Sequence, residues 1–135
     1  MTTPHRLVNP DSLAPPVGFS HAVIAAPGRA VYVGGQAALR PDGRVSGSTV
    51  SEQFDVAAAN VVEALAAAGA RPEHVVSLQI FVTDVEEYRA SLGELGSLYR
   101  KHFGYHYPAI ALFEVSALFD PAAKIELVVQ AVVPD

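Results

Sequence analysis

At 135 residues, half of them hydrophobic and only 17% charged against about 25% in typical soluble domains, the chain can bury one core but is short of solvating groups for a monomer. Nine Lys and Arg against fourteen Asp and Glu give a net charge of -5, and no basic run exceeds Arg100-Lys101, which argues against a phosphate-tracking surface and against nucleic acid as partner. The absence of cysteine removes disulfides, thiolate nucleophiles and thiolate metal sites together; with no signal-like start and no stretch near roughly 18 uninterrupted apolar residues, a cytoplasmic protein with no membrane partner is expected.

The start of the chain, punctuated by Pro10, Pro15, Pro16 and Gly18, reads as an extended arm over residues 1–18. Alternating patterns predict strands over 20–26 and 30–36, joined as a hairpin at Pro27-Gly28-Arg29. Gly34-Gly35 marks a bulge or a close backbone approach, and Pro41-Asp42-Gly43 a turn. From Ser51 the period becomes 3.6: Phe54, Ala57, Ala58, Val61, Leu65 and Ala68 line one stripe, and Gly69 is placed to end the helix. Period two returns at 75–82, with Val76, Leu78, Ile80 and Val82 on the apolar side. A second helix is predicted over 85–103, although Gly93 and Gly96 each cost it about 1 kcal/mol relative to Ala.

Two strands close the chain, at 110–117 and 124–133. In the second, Ile125, Leu127, Val129, Ala131 and Val133 alternate with Lys124, Glu126, Val128, Gln130 and Val132; in the first, Ala111, Phe113, Val115 and Ala117 alternate with Ile110, Leu112, Glu114 and Ser116. The order β-β-α-β-α-β-β predicts an α/β (α+β) fold, a single domain over 1–135 with two helices on one face of a mixed sheet. The other face, too apolar for water and too polar for a core, is expected to be a subunit interface with ligand clefts.

Glu126 is the first candidate for chemistry, because it sets a carboxylate into an apolar sheet. It reads either as a cleft general base or as a strand glutamate paired with Lys124 or with another subunit. Glu114 shares a face with Ile110 and Leu112 and reads as an interface carboxylate. His5, His21, His74, His102 and His106 give no metal-ligand spacing on one element, since Gly104 interrupts the pair at 102 and 106, so no metal is expected. Gly34-Gly35-Gln36 lacks any phosphate-loop pattern, and no cofactor is expected. Ser20 and His21 point to opposite faces of a strand and cannot form a triad. Tyr105-His106-Tyr107 reads either as a loop that brings rings into a cleft or as one packed on its own subunit.

Several motifs in order resemble the RidA family, also called YjgF/YER057c-like, over residues 9–133. They are Ala14-Pro15-Pro16-Val17-Gly18-Phe19-Ser20-His21-Ala22, Val31-Tyr32-Val33-Gly34-Gly35-Gln36, Gln53 with Asn60, Ala68-Gly69, Phe81-Val82-Thr83-Asp84, Tyr107-Pro108-Ala109, Phe113-Glu114-Val115 and Lys124-Ile125-Glu126. The resemblance implies a chorismate-mutase-like fold and a homotrimer with clefts between neighbouring subunits. Archetypal members hydrolyse reactive enamines and imines to 2-keto acids and ammonia, and an arginine directly after Pro-Ala grips the substrate carboxylate. Here that position is Ile110.

Phe19 stands where the family usually has tyrosine, Gly34 where serine is common and Gly96 where asparagine is common, whereas Glu126 matches the cleft glutamate that handles the attacking water. The resemblance therefore implies a divergent member with a small-molecule cleft lined by Phe19, Gly34, Gly35, Gln36, Gly96, Tyr107, Ile110 and Leu112, and with Glu126 as the catalytic residue. Its expected activity is that of an enamine/imine deaminase-like hydrolase without the family's 2-imino acid deaminase activity. The alternative is a non-catalytic trimer that binds a metabolite or regulates a partner.

Overall fold

The structure, a computed structural model that describes residues 2–135, runs β1 (Arg6–Val8), β2 (Ala22–Ile24), β3 (Gly28–Gln36), α1 (Val50–Ala67), β4 (Val75–Val82), α2 (Val85–Ala90), α3 (Leu92–Phe103), β5 (Ala109–Glu114) and β6 (Ile125–Pro134). Four strands form a mixed sheet in the order β3-β6-β4-β5, in which β6 lies antiparallel to both β3 and β4, and β4 runs parallel to β5. The predicted α+β class and mixed sheet are present, with differences at both ends.

The expected hairpin between the first two predicted strands does not form. β2 pairs instead with β1, inside the stretch read as an extended arm, with Arg6 opposite Ile24. The reason lies at Gly28, which opens β3 opposite Pro134 rather than closing a turn; a Cβ there would collide with the Val133 carbonyl. His5 fastens the arm, since its Nδ1 accepts from Ala26 N–H (3.0 Å) and its Nε2 therefore donates to the His74 carbonyl (2.8 Å).

Helix α1 begins at a capping box. Thr49 Oγ1 accepts from Glu52 N–H (3.1 Å), and Glu52 Oε1 accepts from the Thr49 N–H (3.1 Å). The stripe of Phe54, Ala57, Ala58, Val61 and Leu65 is buried, while Ala68, assigned to that stripe by periodicity, is an exposed cap residue. Gly69 (φ +79°) ends the helix as predicted, with Ala70 N–H bonded back to the Leu65 carbonyl (2.8 Å).

The second predicted helix is in fact two. At Ser91 the backbone leaves helical geometry (φ −112°, ψ 13°) and the hydroxyl donates to the Glu87 carbonyl (2.9 Å), the local competition by which serine disfavours a helix interior. Helix α3 then buries Leu95, Tyr99 and Phe103.

Both long helices cover one face of the sheet. Their apolar stripes meet Leu78, Ile80 and Val82 of β4, Ile125, Leu127, Val129 and Ala131 of β6, and Val33 of β3 in one core. Burial of each large side chain in it stabilises the fold by about 1.5–3 kcal/mol. In β4 a register shift between Val75 and Ser77 turns Val75 into this core, so strict alternation fails at that end of the strand. Strand β5 ends at Glu114, short of the predicted 117; the Val115 N–H makes one more bond to the Val82 carbonyl (2.8 Å) before the chain turns away.

Candidate functional site

Sheet register divides the candidate residues between two faces. Leu78 lies opposite Ile110 and Ile80 opposite Leu112, and Leu78 and Ile80 are buried beneath the helices, so Ile110 and Leu112 also face the helices. Phe81 lies opposite both Phe113 and Glu126, and the two phenyl rings stack at 5.4 Å on the reverse face. Ile110 and Glu126 therefore occupy opposite sides of the sheet in one chain. The more uniformly apolar row of β5 is the outer one: Ala111 and Phe113 are exposed, and the row of Ile110 and Leu112 faces the core. Both rows are apolar enough for either side, and the parallel pairing with β4 decides.

On the helix side, a cavity of about 490 Å³ lies between α2, α3 and β5. Phe19, Gly96, Tyr107, Ile110 and Leu112 all line it, together with Leu95, Tyr88 and Tyr99, which the sequence reading did not single out as site residues. Phe19 is held there because the neighbouring Ser20 is pinned twice to the next loop. Its N–H donates to the Pro108 carbonyl (2.9 Å) and its hydroxyl to the Tyr107 carbonyl (2.7 Å), so that hydroxyl is no nucleophile.

Tyr107 stacks on Tyr99 with centroids 5.2 Å apart, and the Tyr99 hydroxyl donates to the His106 carbonyl (2.6 Å). Burial, then the neighbouring Tyr107 and Tyr88, push the Tyr99 phenol well above its ordinary value, and burial pushes Tyr88 up as well. Both side chains line the cavity as neutral phenols. The rim carries Arg100, whose guanidinium lies over Gly96: a Cβ at Gly96 would sit 3.3 Å from Arg100 Nη1. Their i, i+4 spacing on the predicted helix was the signal available for finding this residue.

On the reverse face, Gly34 and Gly35 sit between Val33, paired with Val129, and Gln36, paired with Leu127, so that they oppose Val128 together. This is the bulge foreseen at the glycine pair, and Gly35 also provides the close approach. A Cβ on Gly35 would lie 2.5 Å from Glu126 Oε2, so the missing side chain is what gives the carboxylate its place over β3. Gln36 Nε2 donates to the Gly34 carbonyl (3.1 Å) across the bulge.

Lys124 does not neutralise Glu126. Its ammonium pairs with Glu87 Oε1 at 2.8 Å, and that hydrogen bond is the leading cause that holds the Glu87 carboxyl below the usual carboxylate range. Among the described residues the Glu126 carboxylate has no hydrogen-bond or ion-pair partner. Its strand is set by Gln53, only 1% exposed, whose Oε1 accepts from Lys124 N–H (2.7 Å) and whose Nε2 donates to the carbonyls of Ala122 (3.0 Å) and Gly47 (3.1 Å). Glu114 is a helix cap rather than a partner of Glu126, accepting from Val85 N–H at 2.9 Å.

The histidines are engaged elsewhere. His102 Nε2 lies 2.6 Å from Asp55 Oδ1, and this bond, with a second from Lys101, holds the Asp55 carboxyl down. His106 is buried and its Nε2 donates to the Val75 carbonyl (2.7 Å); burial lowers its affinity for a proton. Tyr105 is exposed, so of that tripeptide only Tyr107 reaches the cavity. Among the described residues no group of His, Asp and Glu is placed to hold a metal ion, and no helix is long and apolar enough to cross a membrane.

The family model described as Endoribonuclease L-PSP matches residues 10–133. The chain is 30% identical over 106 residues to "Protein MMF1, mitochondrial" of Saccharomyces cerevisiae, covering 78% of this chain and 70% of that protein. It is 31% identical over 101 residues to 2-iminobutanoate/2-iminopropanoate deaminase of Rattus norvegicus, covering 74% and 69%. Among solved structures, YyfB of Yersinia pestis, a protein of unknown function of the conserved Rid protein family, superposes with a TM-score of 0.85 at 32% identity over 96% of this chain and 98% of that chain. Yeast Mmf1 superposes with a TM-score of 0.67 at 30% identity over 95% and 98%.

Proposed function

The chain belongs to the YjgF/RidA family and has its chorismate-mutase-like fold, and from that premise we propose that it works as a homotrimer whose intersubunit clefts hydrolyse a reactive carbon–nitrogen bond. The observation that carries the proposal is the division of the site. Phe19, Gly96, Tyr107, Ile110 and Leu112 line the helix-side cavity, whereas the Gly34-Gly35 bulge and Glu126 belong to the other half, on the reverse face, with Gln36 beside the bulge but paired with the buried Leu127. The sheet separates the halves in one copy. A neighbouring copy that lays the cavity edge of its β5 against the reverse face unites them, and head-to-tail repetition of that contact closes a ring.

Two features support such a contact. Tyr32 on β3 and Phe113 on β5, at the two edges of the sheet, leave 75% and 45% of their surface exposed, large aromatic groups on a face that no helix covers. Strand β5 is a sheet edge whose outer side is bridged only at its start, by Ser20 at Ala109, and an uncovered edge is a liability in a free monomer.

In the completed cleft Glu126, unpaired within its own chain, accepts a proton from water. The hydroxide oxygen adds to the imine carbon and the nitrogen takes the proton back from Glu126; the hydroxyl proton of the carbinolamine then passes through Glu126 to the amino group, and the C–N bond breaks to leave a carbonyl and ammonia. Positioned general-base catalysis of this kind contributes typically 10²–10⁴-fold. Ile110 offers no charge to the carboxylate of a short 2-imino acid, so clearance of 2-iminobutanoate, a substrate for which the rat relative is named, is expected to be weak. The apolar cavity and the net charge of -5 give RNA no part in this reading.

Glu126→Gln tests the catalytic role against that of a metabolite-binding trimer. Hydrolysis of imines generated in situ should fall about 10²-fold or more with ligand binding retained; a change confined to affinity would leave only the binding module.

A further inference from the structure

Ile110 takes the charge from the wall of the cavity, yet the cavity retains a cation. Arg100 stands at its rim one helical turn beyond Gly96, and it is the only basic side chain among the lining residues. Among the described residues it has no carboxylate partner; its guanidinium makes one long bond, Nη2 to Ser97 Oγ at 3.4 Å on the same helix. Other cations nearby are committed: Lys101 to Asp55, Lys124 to Glu87 and Arg89 to Glu86. Glu94 on the same helix accepts from Ser51 Oγ at 3.1 Å.

Gly96 makes this possible. Even a methyl group there would come within 3.3 Å of Nη1, and a longer side chain would displace the guanidinium from the cavity mouth. The two positions act together: the small residue leaves the space, and the arginine one turn later fills its rim with charge. Inside that rim the walls are Phe19, Leu95, Ile110 and Leu112, around a volume of about 490 Å³. A guanidinium at the mouth of an apolar chamber suits a ligand with a carboxylate at one end and a bulky hydrocarbon body at the other.

We infer that Arg100 is the carboxylate anchor of this cleft, moved from strand to helix, and that the cleft selects acids with a large apolar body over short ones. The inference rests on the cavity being the ligand site, as proposed above. It explains how a member with Ile110 can still bind an acid: the carboxylate stays at the rim and the body fills the space that a strand arginine would occupy.

The test uses 3-phenylpropanoate and its neutral isostere 3-phenylpropanamide, titrated calorimetrically into the full chain and into Arg100→Gln, Arg100→Lys and Gly96→Trp. The acid should bind the unmodified chain about 10-fold tighter than the amide. Arg100→Gln should erase that preference and leave amide binding unchanged. Arg100→Lys should restore part of it, because a point charge replaces a fork. Gly96→Trp should block both compounds. An acid preference that survives in Arg100→Gln overturns the anchor while leaving the cavity reading intact. Binding of neither compound, or binding indifferent to Gly96→Trp, overturns the cavity reading itself and the anchor with it.

Discussion

Gly35→Ala separates the fold from the proposed chemistry. Gly35 does not have positive φ, so alanine fits the backbone, but the new Cβ would stand 2.5 Å from Glu126 Oε2, 2.9 Å from Cδ and 3.3 Å from Cγ. Such a contact cannot persist, and the carboxylate, the free end of a flexible side chain, is what yields. Moving it to another rotamer costs about 0.5–1.5 kcal/mol, while the reduced freedom of the unfolded chain returns about 0.4–1 kcal/mol. Net stability should therefore stay within about 1 kcal/mol of the unmodified protein, measured by urea unfolding at fixed protomer concentration. Displacement of a water-holding group by an ångström or more should lower imine hydrolysis by about 10²-fold. Glu126→Gln measured in parallel gives the scale. A stability loss above about 3 kcal/mol would mean that the carboxylate is locked in place, and unchanged hydrolysis would mean that its position over Gly35 is irrelevant; either result refutes the reasoning.

Gln53→Leu should destabilise the fold by about 3 kcal/mol or more, since it leaves Lys124 N–H and the Gly47 and Ala122 carbonyls without their partner in a buried setting; a loss below about 1 kcal/mol by the same unfolding assay would show that water replaces it. His106 is held below its ordinary 6.5 by burial, so the unfolded chain takes up the proton first. Stability from this group is complete above about 6.5 and falls as pH drops towards the lowered folded value. His106→Gln should flatten that part of the curve between about pH 7 and 5, and an unchanged slope would place the dependence elsewhere.

Much of this architecture is written locally. The stripe of Phe54, Ala57, Ala58, Val61 and Leu65, the box at Thr49 and the glycine at 69 define α1 at almost residue precision, because each signal acts within a turn or two. The glycine pair in β3 was legible for the same reason, as its bulge removes side chains where another approaches. What escaped was decided at long range. Whether β2 paired with β1 or β3 depended on how the arm folds back along β2, and the face taken by Ile110 depended on register with β4. The break at Ser91 turned on one hydroxyl choosing a backbone carbonyl. Arg100 was missed because a charge on a solvent-facing helix surface looks ordinary until the cavity beneath it is known.

The central claim is that each site is shared, with its cavity from one copy and Glu126 from the next. Gly96→Trp fills the cavity of its own chain from a half-buried helical position, and Glu126→Gln removes the water-holding group; each variant alone should be inactive towards imines generated in situ. Co-refolding equal amounts should give oligomers three times the 14.2 kDa chain mass in light scattering, with about a quarter of the original hydrolysis restored, because unmodified cavities then meet unmodified Glu126 across chains. Mixed oligomers that form and remain inactive would place both halves in one chain and contradict the account, as would a monomer.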